Sequence, residues 1–125
     1  MDNNLNFFLD KGNLSYLNII SLESFHVLGY ECLLWTYSEI PNVPDYVEIC
    51  DANEIIPLNP NVDIILFSDI FRYNLLYKHG GWWSDIDNIC VNKLPTTEYL
   101  ISGNNILAAR DYCFFLNLKT IAPNY

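Results

Sequence analysis

The stretch from Phe67 to Asn88 decides the fold, and it reads FSDIFRYNLLYKHGGWWSDIDN. Its first part predicts a helix. Asp69 and Arg72 are three residues apart, so they lie on one face of that helix. Gly80 and Gly81 predict the end of the helix, because glycine enters the left-handed backbone region without steric cost.

The residues after the two glycines predict a short strand with one polar side. Side chains alternate along an extended strand, so residues 82, 84 and 86 point away from Trp83, Asp85 and Asp87. With Asp69 and Arg72 of the helix, these three side chains predict one polar corner. It contains three carboxylates, a guanidinium group and an indole ring.

Asp85 and Asp87 form a pair with the chemistry of a metal site. Carboxylates at positions i and i+2 can bind a hard divalent cation and leave positions for water and phosphate. A magnesium or manganese ion held in this way can neutralise a diphosphate leaving group. The Asp-x-Asp triplet alone is weak support, because it occurs often by chance.

The longer pattern from Ser68 to Asp87, S-D-x-x-R-Y-x-x-L-Y-x-x-G-G-W-W-x-D-x-D, is more specific. It resembles the DXD-motif glycosyltransferases of the family 32 type. That group includes capsular polysaccharide synthesis proteins and the sugar-transferring domains of large clostridial toxins. The resemblance extends from about Leu14 to about Leu94. It implies a GT-A-type, Rossmann-like nucleotide-sugar-binding fold with a divalent cation, manganese or magnesium, as cofactor.

The same resemblance implies a role for each residue of the polar corner. Asp87 would bind the metal directly, and Asp85 would contact the ribose or sugar of the donor, either itself or through the water shell of the metal. Both aspartates belong to the implied metal site. Asp69 and Arg72 would hold hydroxyl groups of the donor sugar. Trp83 stands where the family has an aromatic residue beside the donor. The alternative for Asp69 and Arg72 is an internal ion pair that only orders the helix.

The implied reaction is transfer of a sugar from a nucleotide-sugar donor to a saccharide acceptor, as in polysaccharide biosynthesis. Retention at the anomeric carbon is part of this implication. A uridine diphosphate sugar is the default donor, by analogy alone.

The same residues allow two other interpretations. The first is a haloacid-dehalogenase-type phosphatase with an aspartate nucleophile in D-x-D, which leaves the upstream S-D-x-x-R and G-G-W-W unexplained. The second is a fragment or degenerate copy that at most binds nucleotide sugar. GT-A domains run to about twice the length of this chain, so residues 1–125 are expected to form a single, incomplete domain.

Composition favours a globular, acidic protein. Hydrophobic residues make up 51% and charged residues 17% of the 125 positions, which suits one packed domain rather than a disordered chain. The net charge of −9 argues against nucleic-acid binding, because phosphate contacts need Lys and Arg. A diphosphate ligand would also be repelled unless a metal ion bridges it to the protein.

Features of the termini and the cysteines predict a cytoplasmic protein without a membrane span. No apolar run approaches the roughly 20 residues that cross a bilayer, and the first residues lack the pattern of a secretory signal. The four cysteines, Cys32, Cys50, Cys90 and Cys113, form no C-x-x-C pair, which favours reduced core thiols.

Alternating strands and helices predict an α/β fold with a largely parallel sheet. Asn13 or Ser15 is expected to cap a first helix that Gly29 closes. The predicted strands are Leu5 to Leu9, Tyr30 to Tyr37, Val47 to Cys50, Ile89 to Val91 and Cys113 to Leu118. The apolar helix before the glycine pair is expected to be mostly buried, with Asp69 and Arg72 buried as well. Ligands of such sheets bind beyond the carboxyl ends of the strands, where Asp85 and Asp87 are placed.

Overall fold

A four-stranded parallel sheet lies between two helices in the computed structural model, which describes residues 3–93 and the backbone of residues 115–117. The elements in chain order are β1 (Asn4–Phe8), α1 (Tyr16–His26), β2 (Glu31–Thr36), β3 (Val47–Asp51), a 3-10 turn (Ala52–Glu54), α2 (Ile64–His79), β4 (Trp82–Trp83), β5 (Asn88–Cys90) and β6 (Phe115–Asn117). Each described strand and helix falls within a few residues of its predicted position.

The strand order in the main sheet is β3-β2-β1-β4, and every neighbouring pair in it is parallel. This arrangement confirms the predicted α/β class and is consistent with a Rossmann-like part of a GT-A fold. β5 and β6 pair antiparallel in a separate two-stranded sheet, with Asn88 opposite Asn117. The largely parallel sheet was therefore predicted correctly, whereas the antiparallel pair was not.

α1 packs on one face of the sheet through an apolar core. Ser15 caps the helix, since its hydroxyl accepts a hydrogen bond from Asn18 N while the Asn18 side chain accepts one from Ser15 N. This reciprocal pair is a capping box, with asparagine at the third helical position. Phe25 of α1 contacts Phe7 of β1 edge to face at 5.4 Å, and neither side chain is accessible to solvent.

α2 packs on the opposite face, where aromatic rings dominate. Phe71 is fully buried and stacks on Phe8 of β1 at 4.7 Å between ring centroids. Phe67 and Leu75 lie one turn to either side of Phe71 and are buried against the same cluster, which includes Trp35 of β2. Phe8 therefore belongs to this core and Phe7 to the α1 core.

The outer face of α2 differs from the prediction. The helix was expected to be mostly buried, but the stripe of Leu66, Ile70 and Tyr73 is 55%, 40% and 59% exposed. Asp69 is also half exposed, while Arg72 retains only 20% of its side-chain accessibility. The reason is geometric: one sheet face can contact only one stripe of a helix, and that stripe is Phe67, Phe71 and Leu75.

The prediction that the strand after the glycine pair extends through Asp87 is also wrong. β4 comprises only Trp82 and Trp83, and residues 86–87 form a turn. Ser84 N still donates to Asn6 O of β1 at 3.2 Å, after which the backbone folds back on itself. Serine, aspartate and asparagine favour such turns, because their short polar side chains bond to nearby backbone groups.

The thiols of Cys32, Cys50 and Cys90 are free. Burial raises the pKa of Cys32 to about 12 and those of Cys50 and Cys90 to about 11. Cys113 lies outside the described part of the chain. Within the described part, no helix combines the length and apolar character needed to span a membrane.

Candidate functional site

The Asp85–Asp87 turn lies just beyond the carboxyl end of β4. β4 pairs with β1 on the side opposite β2, so the strand order reverses at β1. In open parallel sheets, ligands bind outside the carboxyl ends of the strands at such a reversal. The fold therefore places both aspartates where a ligand of this sheet would bind.

Hydrogen bonds within the segment fix the shape of the turn. Asp85 O accepts hydrogen bonds from Asn88 N at 3.3 Å and from the Ser84 hydroxyl at 2.8 Å. The Asn88 side chain in turn donates to Ser84 Oγ at 3.1 Å. Ser84 and Asn88 are 2% and 1% exposed, whereas the Asp85 side chain is exposed and Asp87 is half-buried. Buried polar residues thus hold the turn and leave the Asp85 carboxylate facing solvent.

Trp83 connects Asp85 to α2. Its indole Nε1 donates a hydrogen bond to Asp85 Oδ1 at 3.3 Å. Its ring lies 6.4 Å from that of Phe71, between the sheet and the helix. Trp82 packs into the α1 core instead, together with Ile86. Trp82 and Ile86 therefore pack in a different core from Trp83, as predicted, although the segment is not one continuous strand.

Asp69 and Arg72 form the second pair of predicted site residues. Arg72 Nη2 lies 3.6 Å from Asp69 Oδ1, and the guanidinium carbon lies 5.1 Å from the centre of the Tyr73 ring. Among the described residues, Arg72 Nε is a buried donor without a hydrogen-bond partner. The ion pair by itself fits the interpretation that these residues only order the helix.

Helix α1 contributes to the site in a way that the sequence did not reveal. Asn18 Nδ2 donates to Ile86 O at 3.1 Å, and the Ser21 hydroxyl donates to Asn88 O at 2.5 Å. The Ser24 hydroxyl accepts a hydrogen bond from Cys90 N at 2.8 Å. Three side chains of one helix thus bind the backbone of the turn and of β5.

Asn6, in the middle of β1, is a further residue that sequence reasoning missed. It is 2% exposed, donates to Trp82 O at 2.9 Å and accepts a hydrogen bond from Trp35 Nε1 at 2.9 Å. It therefore joins β1 to both neighbouring strands. A polar residue within an apolar strand could have indicated this role, because burying a polar side chain without hydrogen-bond partners is costly.

The carboxylate pair fits a hard divalent cation by its chemistry. Both residues offer oxygen ligands on a single turn. Magnesium is commonly bound by one or two carboxylates, with phosphate and water completing its shell. Within residues 3–93, no group of three or more His, Cys, Asp or Glu side chains gathers into a metal cage.

A family comparison gives this geometry its context. The family model of the glycosyltransferase sugar-binding region containing the DXD motif matches residues 14–113. The chain belongs to this family. Comparisons with curated proteins and with solved structures found no match.

The DXD motif of this glycosyltransferase sugar-binding region is Asp85-Ile86-Asp87, because the sequence contains no other Asp-x-Asp triplet. The match also covers α1, α2 and the four strands after β1. The residues that hold the turn, from Asn18 to Asn88, therefore all lie inside the sugar-binding region.

Proposed function

We propose that the protein binds a nucleotide sugar, by default a uridine diphosphate sugar, and transfers the sugar to a saccharide acceptor with retention at the anomeric carbon. The donor would bind beyond the carboxyl ends of β1 and β4, with its diphosphate at the Asp85–Asp87 turn. One observation carries this proposal. The single DXD motif of a glycosyltransferase sugar-binding region lies on a hydrogen-bonded turn where the strand order reverses.

Asp85 and Asp87 would hold a divalent cation, manganese or magnesium, against the donor diphosphate. Charge develops on the diphosphate as the bond to the sugar breaks, and a bound cation would stabilise that charge. The chain carries a net charge of −9, so two acidic groups facing a diphosphate would otherwise repel it. Trp83 would keep Asp85 in place through its Nε1 hydrogen bond of 3.3 Å.

Asp69 and Arg72 would bind the sugar part of the donor. A guanidinium group donates hydrogen bonds in a fixed geometry, and a carboxylate accepts them from hydroxyl groups. The Arg72 side chain is 20% exposed, so its guanidinium group can serve this purpose. Phe71 lies next to Arg72 in α2 and contacts the Trp83 ring, so packing connects the two halves of the proposed site.

Calorimetric titration of the protein with a uridine diphosphate sugar, with manganese and with a chelator, tests the proposal. We expect manganese to raise the affinity and Asp87→Asn to remove most of that gain, because the variant loses one anionic ligand. Asp45→Asn makes the same charge change before β3, at the amino end of the sheet, and should leave the gain intact. Equal affinity of the unmodified protein with manganese and with chelator would refute the metal bridge.

A second arm of the titration separates sugar binding from helix ordering. If Arg72 holds the sugar, Arg72→Ala should weaken binding of the intact nucleotide sugar far more than binding of free uridine diphosphate. If the ion pair with Asp69 only orders α2, the variant should lose thermal stability while its preference between the two ligands stays unchanged. Product analysis with labelled donor and a panel of saccharides then tests transfer itself.

A further inference from the structure

A polar row on α1 binds the backbone that carries the DXD motif. Asn18, Ser21 and Ser24 are three residues apart in the helix, and their partners Ile86, Asn88 and Cys90 are two residues apart in the chain. Helical residues at this spacing share one face. Asn88 and Cys90 lie in β5, where residues two apart share one side, and Ile86 lies in the turn before it. The helix therefore contacts both the turn and one side of β5.

These bonds fix the backbone on either side of Asp87. Asn88 and Cys90 are 1% and 6% exposed, and Ile86 packs into the α1 core. Asp85 is exposed, and Asp87, like Ile86, is partly buried. Because Asn18 and Ser21 bind the carbonyl groups of Ile86 and Asn88, they hold the backbone from which the Asp87 carboxylate projects. The polar row thus holds the backbone that carries the DXD motif.

Asn18 has a double function within this row. Its Oδ1 accepts a hydrogen bond from Ser15 N at 2.9 Å, which caps α1, and its Nδ2 donates to Ile86 O at 3.1 Å. Ile86 lies between the two aspartates of the motif. A single amide group therefore connects the start of α1 to the centre of the DXD motif.

We propose that Asn18 is a positioning residue for Asp85 and Asp87, and that its bond to Ile86 O sets their affinity for a cation-bridged diphosphate. The ligand in this inference comes from the proposed function, on which this part of the inference rests. The effect of Asn18 on the turn does not depend on that function. Residues that orient the ligands of a metal are distinct from the ligands, and their loss commonly weakens metal binding 10–100-fold.

The substitution Asn18→Asp isolates the donated bond. Aspartate keeps the oxygen that caps the helix, and a carboxylate is favourable near a helix N-terminus, so α1 should remain intact. The bond to Ile86 O is lost, and the carboxylate oxygen in its place repels that carbonyl; Asn18→Ala, described below, removes the bond without this repulsion. The added negative charge would attract a cation, so any weakening of cation binding would arise in spite of that charge.

Asn42 provides a matched control. Its side chain also accepts one backbone hydrogen bond, from Leu14 N at 2.8 Å, and donates one, to Leu14 O at 2.8 Å. Asn42→Asp therefore adds the same charge and removes the same kind of bond near the start of α1, but away from the DXD motif. The two variants should lose a similar amount of thermal stability.

Amide hydrogen exchange of the metal-free protein tests the turn directly, because Asn88 N donates to Asp85 O and closes it. Asn18→Asp should speed exchange at Asn88 roughly fivefold, and Asn42→Asp should leave it unchanged. Titration with manganese and uridine diphosphate should then show roughly tenfold weaker binding for Asn18→Asp only.

The variants Asn18→Ala and Asn42→Ala add no charge. They should differ from each other in the same way, both in hydrogen exchange at Asn88 and in ligand affinity. Unchanged exchange at Asn88 in both Asn18 variants would overturn the proposal, whatever the ligand. Faster exchange with undiminished ligand affinity would also overturn it, since the turn would then move without consequence for binding. If the unmodified protein shows no manganese-dependent binding, the proposed function fails, and the exchange measurement alone decides whether Asn18 positions the turn.

Discussion

Helices α1 and α2 pack on opposite faces of one sheet, but they hold the candidate site by different forces. α1 contacts the DXD segment through hydrogen bonds to single backbone atoms: Asn18 and Ser21 donate to carbonyl oxygens, and Ser24 accepts from Cys90 N. α2 contacts the site through the aromatic packing of Phe71 on Phe8 and Trp83. Hydrogen bonds depend strongly on distance and angle, whereas apolar burial is non-directional.

The two kinds of contact contribute differently to the stability of the protein and to the position of the DXD turn. Aromatic burial around α2 contributes a large share of the free energy of folding, but it allows small shifts of the rings. The bonds from α1 contribute less energy each and define where each backbone atom lies. We therefore expect changes at the aromatic contacts of α2 to alter mainly the stability of the whole protein. Changes at the polar row of α1 should also alter the geometry of the DXD turn, at a smaller cost in stability. Three predictions test this contrast, from the largest expected effect to the smallest.

Phe71→Ala should lower the free energy of unfolding by about 3–5 kcal/mol, because it removes a fully buried ring and leaves a cavity. Chemical denaturation followed by circular dichroism measures this. Tyr77→Ala removes an aromatic ring of the same helix that is 92% exposed, and should change stability by less than about 0.5 kcal/mol. Similar losses in the two variants would mean that burial of the inner face of α2 does not account for the stability of the protein.

Ser21→Ala should cost about 1–3 kcal/mol, because it removes the buried hydroxyl that donates to Asn88 O. Ser38 also donates its hydroxyl to a backbone carbonyl, that of Asp10, at an exposed position. Ser38→Ala should therefore have a much smaller effect. Both values come from the same denaturation assay. A loss at Ser21 no greater than that at Ser38 would remove the argument that α1 holds the DXD segment by directed bonds.

Leu66→Gln, on the exposed face of α2, should change the free energy of unfolding by no more than about 0.5 kcal/mol. The same change at the adjacent Phe67, which is 3% exposed, should be far more destabilising. Sedimentation velocity provides a second readout for Leu66→Gln. If exposed apolar side chains of α2 drive association between molecules, the variant should associate less than the unmodified protein. A strong loss of stability at Leu66 would show that this face is buried in solution.

Features encoded by neighbouring residues could be predicted from the sequence. The end of α2 is one example, since Gly80 and Gly81 adopt φ values of 68° and 85° that other residues rarely take. The cap of α1 at Ser15 is another, because its partner Asn18 is three residues away. The parallel sheet followed from the alternation of strands and helices. The position of the DXD motif followed from its place after β4.

Features that depend on distant parts of the chain could not be predicted. The turn at Asp85–Asp87 is held by Asn18, 68 residues earlier, and no local pattern in the motif indicates that partner. The exposure of Ile65 and Tyr73 is a similar case. An apolar helix pattern shows that side chains can be buried, but not how many neighbouring layers contact them. The roles of Asp69, Arg72, Trp83, Asp85 and Asp87 in binding remain predictions for the titrations above.

The long sequence separation of the bonds from α1 also has a consequence for the order of folding. The three contacts of Asn18, Ser21 and Ser24 each close a loop of 66–68 residues. Contacts between residues so far apart form late, because the entropy of the intervening chain opposes loop closure until other structure has shortened the path. During synthesis, α1 emerges from the ribosome long before β5, and the polar row has no partner in that interval. The DXD turn therefore reaches its final geometry only near the end of folding of the described region.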